Sequence, residues 1–244
     1  MEKDIEIIND EKECIKMNTV LHKDSALQRL DNSFLKHIEK EEYKKSDLLA
    51  YWVKDFSNYH DNEDSFDSSK LKIFKRGDII KVNLGFNIGN ELGGLHYCVV
   101  INKKDNKKSG TLNVIPLSSF KEGKKYNMNT CLDLGDELYT CISNKQRKMI
   151  EKTTKEIREI LNLDPRLATK SDLEKLKGLA QQLEYLSKVN IEIDKMKHGT
   201  IALVHQITTI SKQRIYKTDM LKHIKLSNSS LDKIDERIKE MYIK

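Results

Sequence analysis

The spacing of apolar positions changes twice along this chain, and the changes divide it. From Ser25 to about Tyr59, Leu27, Leu30, Phe34, Leu35 and Ile38, then Leu49, Trp52, Val53 and Phe56, recur at helical intervals. Ser25 followed by Gln28 has the form of a capping box, so the spacing predicts two amphipathic helices, the first opening near Ser25. The polar, acidic stretch from Asn58 to Lys70 reads as a linker. Beyond it, Ile80, Val82 and Leu84 alternate with Lys81 and Asn83 in GDIIKVNL, the period of a half-buried strand. A glycine-containing loop follows. LHYCVVI, residues 95–101, is then a continuous apolar run rich in β-branched residues, as expected of a strand inside a sheet. After the polar turn KKDNKKSG comes TLNVIPL, residues 111–117, in which Pro116 lacks an amide donor and is placed at an edge or a strand end. These segments predict a β meander.

From about Asn144 the helical period returns. Met149, Ile150, Ile157, Ile160 and Leu161 line one helix, Asp164 and Pro165 punctuate, and Ser171 with Glu174 opens a second helix striped by Leu176, Leu179, Leu183 and Leu186. The stripe spans only about two heptads, which favours a helical hairpin packed on the domain or on itself over a coiled-coil dimer. Strand character reappears in GTIALVHQITTI, residues 199–210, and the chain closes on a capped helix whose Leu231, Ile234, Ile238 and Met241 form an apolar face. The organisation predicted is α+β. Residues 1–70 form a helical extension with an acidic linker, and residues 71–244 form a β domain with a helical insertion at about 144–196 and a C-terminal helix. There is no internal repeat.

Hydrophobic residues make up 38% of the chain and charged residues 34%, enough for a core under a heavily ionised surface. No stretch approaches eighteen uncharged apolar residues, and the start MEKDIEIINDEKE has no continuous apolar segment of the signal-peptide kind. A soluble, cytoplasmic protein without a membrane partner is expected. Cys14, Cys98, Cys131 and Cys141 form no CxxC pair, so no metal site and no cofactor are predicted. Cys98, inside YCVVI, is read as a small buried hydrophobe. The net charge of +6 is too mild to establish a nucleic-acid partner. Its distribution says more: acid gathers in residues 61–67, base in residues 102–108 and 121–125.

Gly89, Gly93 and Gly94 are followed by a strand, so they do not form a phosphate-binding loop that leads into a helix. Two readings stand side by side: they turn the chain between strands, or they let a ligand backbone approach the neighbouring His96. His96 itself is either a structural strand histidine or a group that moves protons near neutrality. Ser118 and Ser119 end the third strand, where a neighbouring strand can bring a hydroxyl beside His96. No acid is spaced for a Ser-His-Asp triad. Asn87 and Asn90 are candidates for reading the base edges of unpaired nucleotides, and Lys103 and Lys104 for attracting phosphates, with a plain solvated turn as the alternative for the lysines.

RGDIIKVNLGFNIGNELGGLHYCVVINKKD, then TLNVIPLSS, then TIALVHQITTISKQRI with the final helix, resemble the MazF/PemK family of toxin endoribonucleases from type II toxin-antitoxin systems. The resemblance covers roughly residues 74–120 and 198–243. It implies a small, strongly twisted antiparallel sheet of the SH3-like barrel type, a homodimer, a cognate antitoxin partner, and RNA- and DNA-binding chemistry. The activity implied is metal-independent cleavage of single-stranded RNA. The family uses an arginine just after the loop glycines and a threonine at the end of the third strand; those positions are His96 and Ser118 here. The serine keeps a hydroxyl, whereas imidazole in place of guanidinium loses a permanent cation and a bidentate fork. His96 is therefore expected to act as general acid/base, with Ser118 donating to the scissile phosphate. The alternative is a catalytically inactive module of the same fold that binds RNA or a partner. Arg76 and Asp78 are read as fixing the start of the first strand, and Tyr97 as packing. The N-terminal 70 residues and the insertion lie outside the resemblance; Leu49, Trp52 and Phe56 are the docking face if the former covers the site.

Overall fold

The computed structural model describes residues 2–162, 169–216 and 218–243. The chain forms two compact units, Met1–Asp61 and Asn62–Lys244. The first is a helical pair, α1 (Glu2–Glu39) and α2 (Tyr43–Asp61). The reversal between them places Glu41 at φ 57°, and the His37 ring meets the Glu42 carboxylate at 2.7 Å across it. Helix α1 runs straight through Ser25, so the expected capping box there does not start a helix. The helix-favouring residues upstream of it extend the first turn of the prediction by more than twenty positions. On α2, Trp52 packs against Phe56 and Tyr59 at ring separations of 5.9 and 6.4 Å. Helix α2 also reaches into the expected linker, whose later part holds a short 3-10 turn at Ser68–Lys70 capped by Asp67.

In the second unit seven strands form one antiparallel sheet: β1 (Ile79–Asn83), β2 (Leu95–Val100), β3 (Thr111–Ser119), β4 (Leu132–Asp133), β5 (Thr200–Ala202), β6 (Thr208–Ser211) and β7 (Ile215–Tyr216). Strands β1, β2 and β3 pair in succession, which is the predicted meander. The 3-10 turn Lys212–Arg214 carries the chain from β6, paired with β3, to β7, paired with β1. That step curls the sheet around an inner core of Ile80, Val82, Cys98, Val100, Leu112 and Val114. The opposite face carries Ile79, Val99, Ile115 and Leu117, and helices cover it. Each of these side chains, fully withdrawn from water, contributes about 1.5–3 kcal/mol.

The covering helices are α3 (Glu137–Leu161), α4 (Lys170–Asp194) and α5 (Asn228–Tyr242). Leu138 and Ile142 of α3, Leu186 and Ile193 of α4, and Leu231 and Ile234 of α5 join the outer core. The insertion is thus a hairpin packed on the domain, as the short stripe implied. Its second helix opens on Thr169 with Asp172, a reciprocal capping box, and not on Ser171 with Glu174. The expected Asp164–Pro165 punctuation lies outside the described residues. The run 199–210 is not one strand, because the 3-10 turn Val204–Gln206 separates β5 from β6. The two-residue strands β4 and β7 were too short to leave a period in the sequence.

Two polar anchors hold the sheet. Arg76 donates to the Ile101 carbonyl at 2.7 Å and pairs with Asp235 of α5, while Asp78 accepts from Lys72 Nζ at 2.9 Å. Gly77 between them has φ +86°, and a Cβ there would meet Leu231 Cδ1 at 2.8 Å. The second anchor is buried: Lys212 Nζ meets Asp105 Oδ1 at 2.7 Å with both side chains 1% exposed, and Asp105 Oδ2 accepts from the Phe74 amide at 2.9 Å. Substituting Lys212→Met leaves that carboxylate without its cation and is expected to destabilise the fold by about 3–5 kcal/mol, measured from the urea midpoint. Lys212→Met combined with Asp105→Asn should recover most of the loss, since asparagine keeps an acceptor for Phe74 without the charge.

Candidate active site

Strand β3 has β2 on one edge and, on the other, β6 followed by β5. Val114, Ile115 and Pro116 face Val100, Val99 and Cys98 of β2, whereas Leu117, Ser118 and Ser119 face Ala202, Ile201 and Thr200 of β5. Pro116 therefore sits inside a nine-residue strand and not at its end. It is tolerated because on that side the partner strand is interrupted by the turn between β5 and β6, so no acceptor is left waiting for its missing amide. Its carbonyl accepts from the Leu203 amide at 3.0 Å.

Past Pro116, β2 and β3 no longer share backbone pairs, and the gap is bridged by a side chain. His96 Nδ1 lies 3.3 Å from the Leu117 carbonyl. Strand β2 begins in the open and runs into the core: Leu95 is exposed, His96 and Tyr97 are half-buried, and Cys98, Val99 and Val100 are buried. Cys98 opposes Pro116, so two positions out along each strand His96 and Ser118 share one face of the sheet. Both line a hollow of ≈ 500 Å³. The Ser118 hydroxyl is held only loosely, by the Ser119 carbonyl at 3.4 Å.

Burial pushes the His96 pKa below its ordinary 6.5, and the charges of Lys121 and Lys81 push the same way, against the carbonyls of Leu117 and Gly93. The shift favours the neutral ring. A carbonyl can only accept, so in that form the bond to Leu117 places the proton on Nδ1. Burial pushes the Cys98 thiol up to about 12, which removes it as a nucleophile and agrees with its reading as a packed hydrophobe.

The far wall of the hollow belongs to the insertion. Lys188, Ile191, Glu192, Lys195 and Met196 line it from α4 and its end, opposite Lys81 and Lys121 from the sheet. Glu192 meets Lys81 at 2.7 Å and so ties α4 to β1. Burial and this carboxylate push the Tyr97 phenol upward, keeping it neutral. Four lysines against one glutamate leave the lining cationic. Thr200, 1% exposed, also lines the hollow, and its hydroxyl is the one buried side-chain oxygen or nitrogen among the described residues without a hydrogen-bond partner. None of the α4 residues or Thr200 stood out in the sequence: their convergence depends on how the hairpin packs, and no spacing encodes it.

The other residues expected at the site lie elsewhere. Asn87 donates from Nδ2 to the Leu92 carbonyl at 2.8 Å, closing its own loop, and lines a second hollow of ≈ 360 Å³ with Glu91, His205, Gln206 and Arg214. The Asn90 carbonyl accepts from Gln206 Nε2 at 3.1 Å, while Gln206 Oε1 takes the Leu92 amide at 2.7 Å. Gln206 is therefore the clamp of the glycine loop. Lys103 and Lys104 are exposed in the turn after β2, at the opposite end of that strand from His96. A Cβ on Gly93 would meet the Gly85 carbonyl at 2.6 Å, so that glycine makes room for the loop's own backbone; Gly94, at φ +84°, faces open space. Among the described residues there is no group of three His, Cys, Asp or Glu able to hold a metal ion, and no helix is long and apolar enough to cross a membrane.

Residues 75–173 match the family described as PemK-like, MazF-like toxin of type II toxin-antitoxin system. The matched segment runs from just before Arg76 through β1–β4 and α3 into the first turn of α4, and so contains both His96 and Ser118. No curated protein matches the chain.

Because the folded-state pKa of His96 is lowered, its contribution to stability is complete above 6.5 and is lost as pH falls through the folded value. An NMR titration should place the His96 midpoint below 6.5, and His96→Gln should flatten the acid side of the stability profile. A midpoint at or above 6.5 would show the ring to be more hydrated than this geometry allows.

Proposed function

We propose that this chain, a member of the PemK-like, MazF-like toxin family through residues 75–173, is the toxin of a type II toxin-antitoxin system and cleaves single-stranded RNA. The observation that carries this reading is the neutral imidazole of His96 beside the Ser118 hydroxyl in one cationic hollow. A ribose 2′-hydroxyl placed against Nε2 gives up its proton as its oxygen attacks the adjacent phosphorus. The bond from phosphorus to the 5′-oxygen breaks. The proton passes from the imidazolium, directly or through water, to that departing oxygen and restores the neutral ring. Ser118 donates to a non-bridging oxygen, and the surrounding lysines stabilise the negative charge that builds on the phosphorane. The products are a 2′,3′-cyclic phosphate and a 5′-hydroxyl, and the sequence of steps needs no metal ion.

The family assignment also supports a cytoplasmic protein, a cognate antitoxin as partner and a homodimer. The binding-only alternative rests on the exchange of arginine for His96, and it predicts RNA held without cut ends.

Purified full-length protein incubated with mixed-sequence single-stranded RNA in excess EDTA is expected to generate those two end groups, identified by end mapping. His96→Ala should lower kcat/KM by about 10²–10⁴-fold. The wild-type rate should rise with pH across a midpoint below 6.5, as the ring loses its proton. RNA bound but left intact, or a His96→Ala rate equal to wild type, would end the catalytic reading.

A further inference from the structure

The insertion that walls the hollow offers more than cover. We propose that Lys121, Lys195 and Thr200 form a subsite for a backbone phosphate next to the scissile one, so that the inserted hairpin is part of the RNA-binding surface. This rests on the nuclease reading above and extends it to the end of α4, beyond the last residue of the family match.

Three features converge on an anionic ligand. Lys121 follows the end of β3 by two residues, Lys195 caps the C-terminal end of α4, and Thr200 opens β5 directly opposite Ser119. All three line the hollow that His96 and Ser118 line. Of the other two lysines in the wall, Lys81 is neutralised by Glu192 at 2.7 Å and Lys188 by Glu184 at 2.7 Å, so Lys121 and Lys195 supply the charge available to a ligand. The Thr200 hydroxyl is withdrawn from solvent without a partner, an arrangement that is unfavourable unless something takes the bond. A phosphate oxygen in the hollow takes it.

The rim distinguishes a nucleic acid from a simple anion. Leu95, 44% exposed, and Ile191, 67% exposed, stand on opposite walls as apolar surface beside the cations. A ligand that places negative charge at the floor and flat apolar surface at the rim has the chemistry of an unpaired nucleotide. The acidic tail of a protein partner satisfies the lysines but leaves the rim unmatched.

The test uses the full chain and a dye-labelled single-stranded RNA with 2′-O-methyl riboses, which lacks the attacking hydroxyl and so reports binding alone. Affinity is measured by anisotropy across a series of salt concentrations. Lys121→Ala and Lys195→Ala should each weaken binding several-fold and reduce the slope of log Kd against log salt by about 0.7. Thr200→Val should weaken binding while leaving the slope unchanged, and its thermal stability should be equal to or above wild type, because an unsatisfied hydroxyl has been removed. Lys155→Ala, on α3 and paired with Glu159 away from the hollow, should match wild type. Unchanged affinity and slope in both lysine variants overturn the subsite, as does failure of wild type to bind this RNA. So does an acidic peptide that binds with the same lysine dependence and greater affinity. Lysine-dependent binding of the 2′-O-methyl RNA without cleavage of ordinary RNA leaves the subsite standing and removes the nuclease reading. Cleavage with KM unaltered by both lysine substitutions does the reverse.

Discussion

A β-strand offers its backbone groups to one neighbour on each side, and β3 has β2 on one edge and β6 followed by β5 on the other. On the first edge pairing ends at Pro116, opposite Cys98, and β2 and β3 part, while on the far edge β5 still pairs with Leu117, Ser118 and Ser119. Everything proposed for the site depends on that parting. It frees the Leu117 carbonyl from the ladder, opens a mouth between the start of β2 and the end of β3, and leaves His96 Nδ1 to take the carbonyl in place of a strand amide. The bond then holds the ring in one orientation with Nε2 available. A backbone defect thereby becomes a side-chain positioning device, and the Leu117 and Ser119 carbonyls freed by it find partners in His96 and the Tyr126 hydroxyl.

The parting can persist only if the sheet is held shut elsewhere. Closure comes from β6 and β7, two short strands that could not fold alone, joined across Lys212. That lysine is nearly inaccessible, and its charge is answered by Asp105, which also takes the Phe74 amide, so one ion pair links β6, the turn after β2 and the approach to β1. A buried pair of this kind contributes little net free energy but makes any other arrangement of the three segments expensive, since each would strand a charge. Arg76 does the same at the other side, joining the Ile101 carbonyl to α5.

The sequence made visible what has a period. Strands β1, β2 and β3, the hairpin of the insertion and α5 could be read because their apolar residues repeat over several turns or alternations, and the buried positions agree: Val82, Val99, Leu186 and Ile234 are all core. Helix α1 was under-read for the complementary reason. Its N-terminal half is a polar helix with exposed Ile15 and Leu21, so no stripe announces it and Ser25 looked like a beginning. Within the site, His96 and Ser118 were legible because each stands at the end of a predicted strand. Lys195 and Thr200 were not, since one is a surface lysine among many and the other an ordinary strand threonine until packing buries its hydroxyl. Asn87, Lys103 and Lys104 show the converse. Their types suit RNA, yet loop closure occupies the Asn87 amide and the length of β2 carries the lysines away from His96.

The exchange of arginine for histidine that the family resemblance implies has a physical logic in the proposed reading. Guanidinium supplies permanent charge and forked donors but cannot accept a proton, while imidazole can accept one only if it is neutral at working pH. Burial lowers the His96 pKa, and the charges of Lys121 and Lys81 add to that direction, so the surroundings favour the form that accepts a proton. In the proposed reading Lys121 and Lys195 provide the permanent charge that imidazole lacks. Phosphate attraction and proton transfer, which one side chain would otherwise combine, are thus divided between the lysines of the walls and the imidazole at the mouth. Lys188 on α4 and Lys195 at its end make up half of the lysines in those walls. In the proposed reading the hairpin and the histidine therefore belong together: Lys195 at the end of α4 adds charge to the hollow that His96 lines, where imidazole alone supplies none.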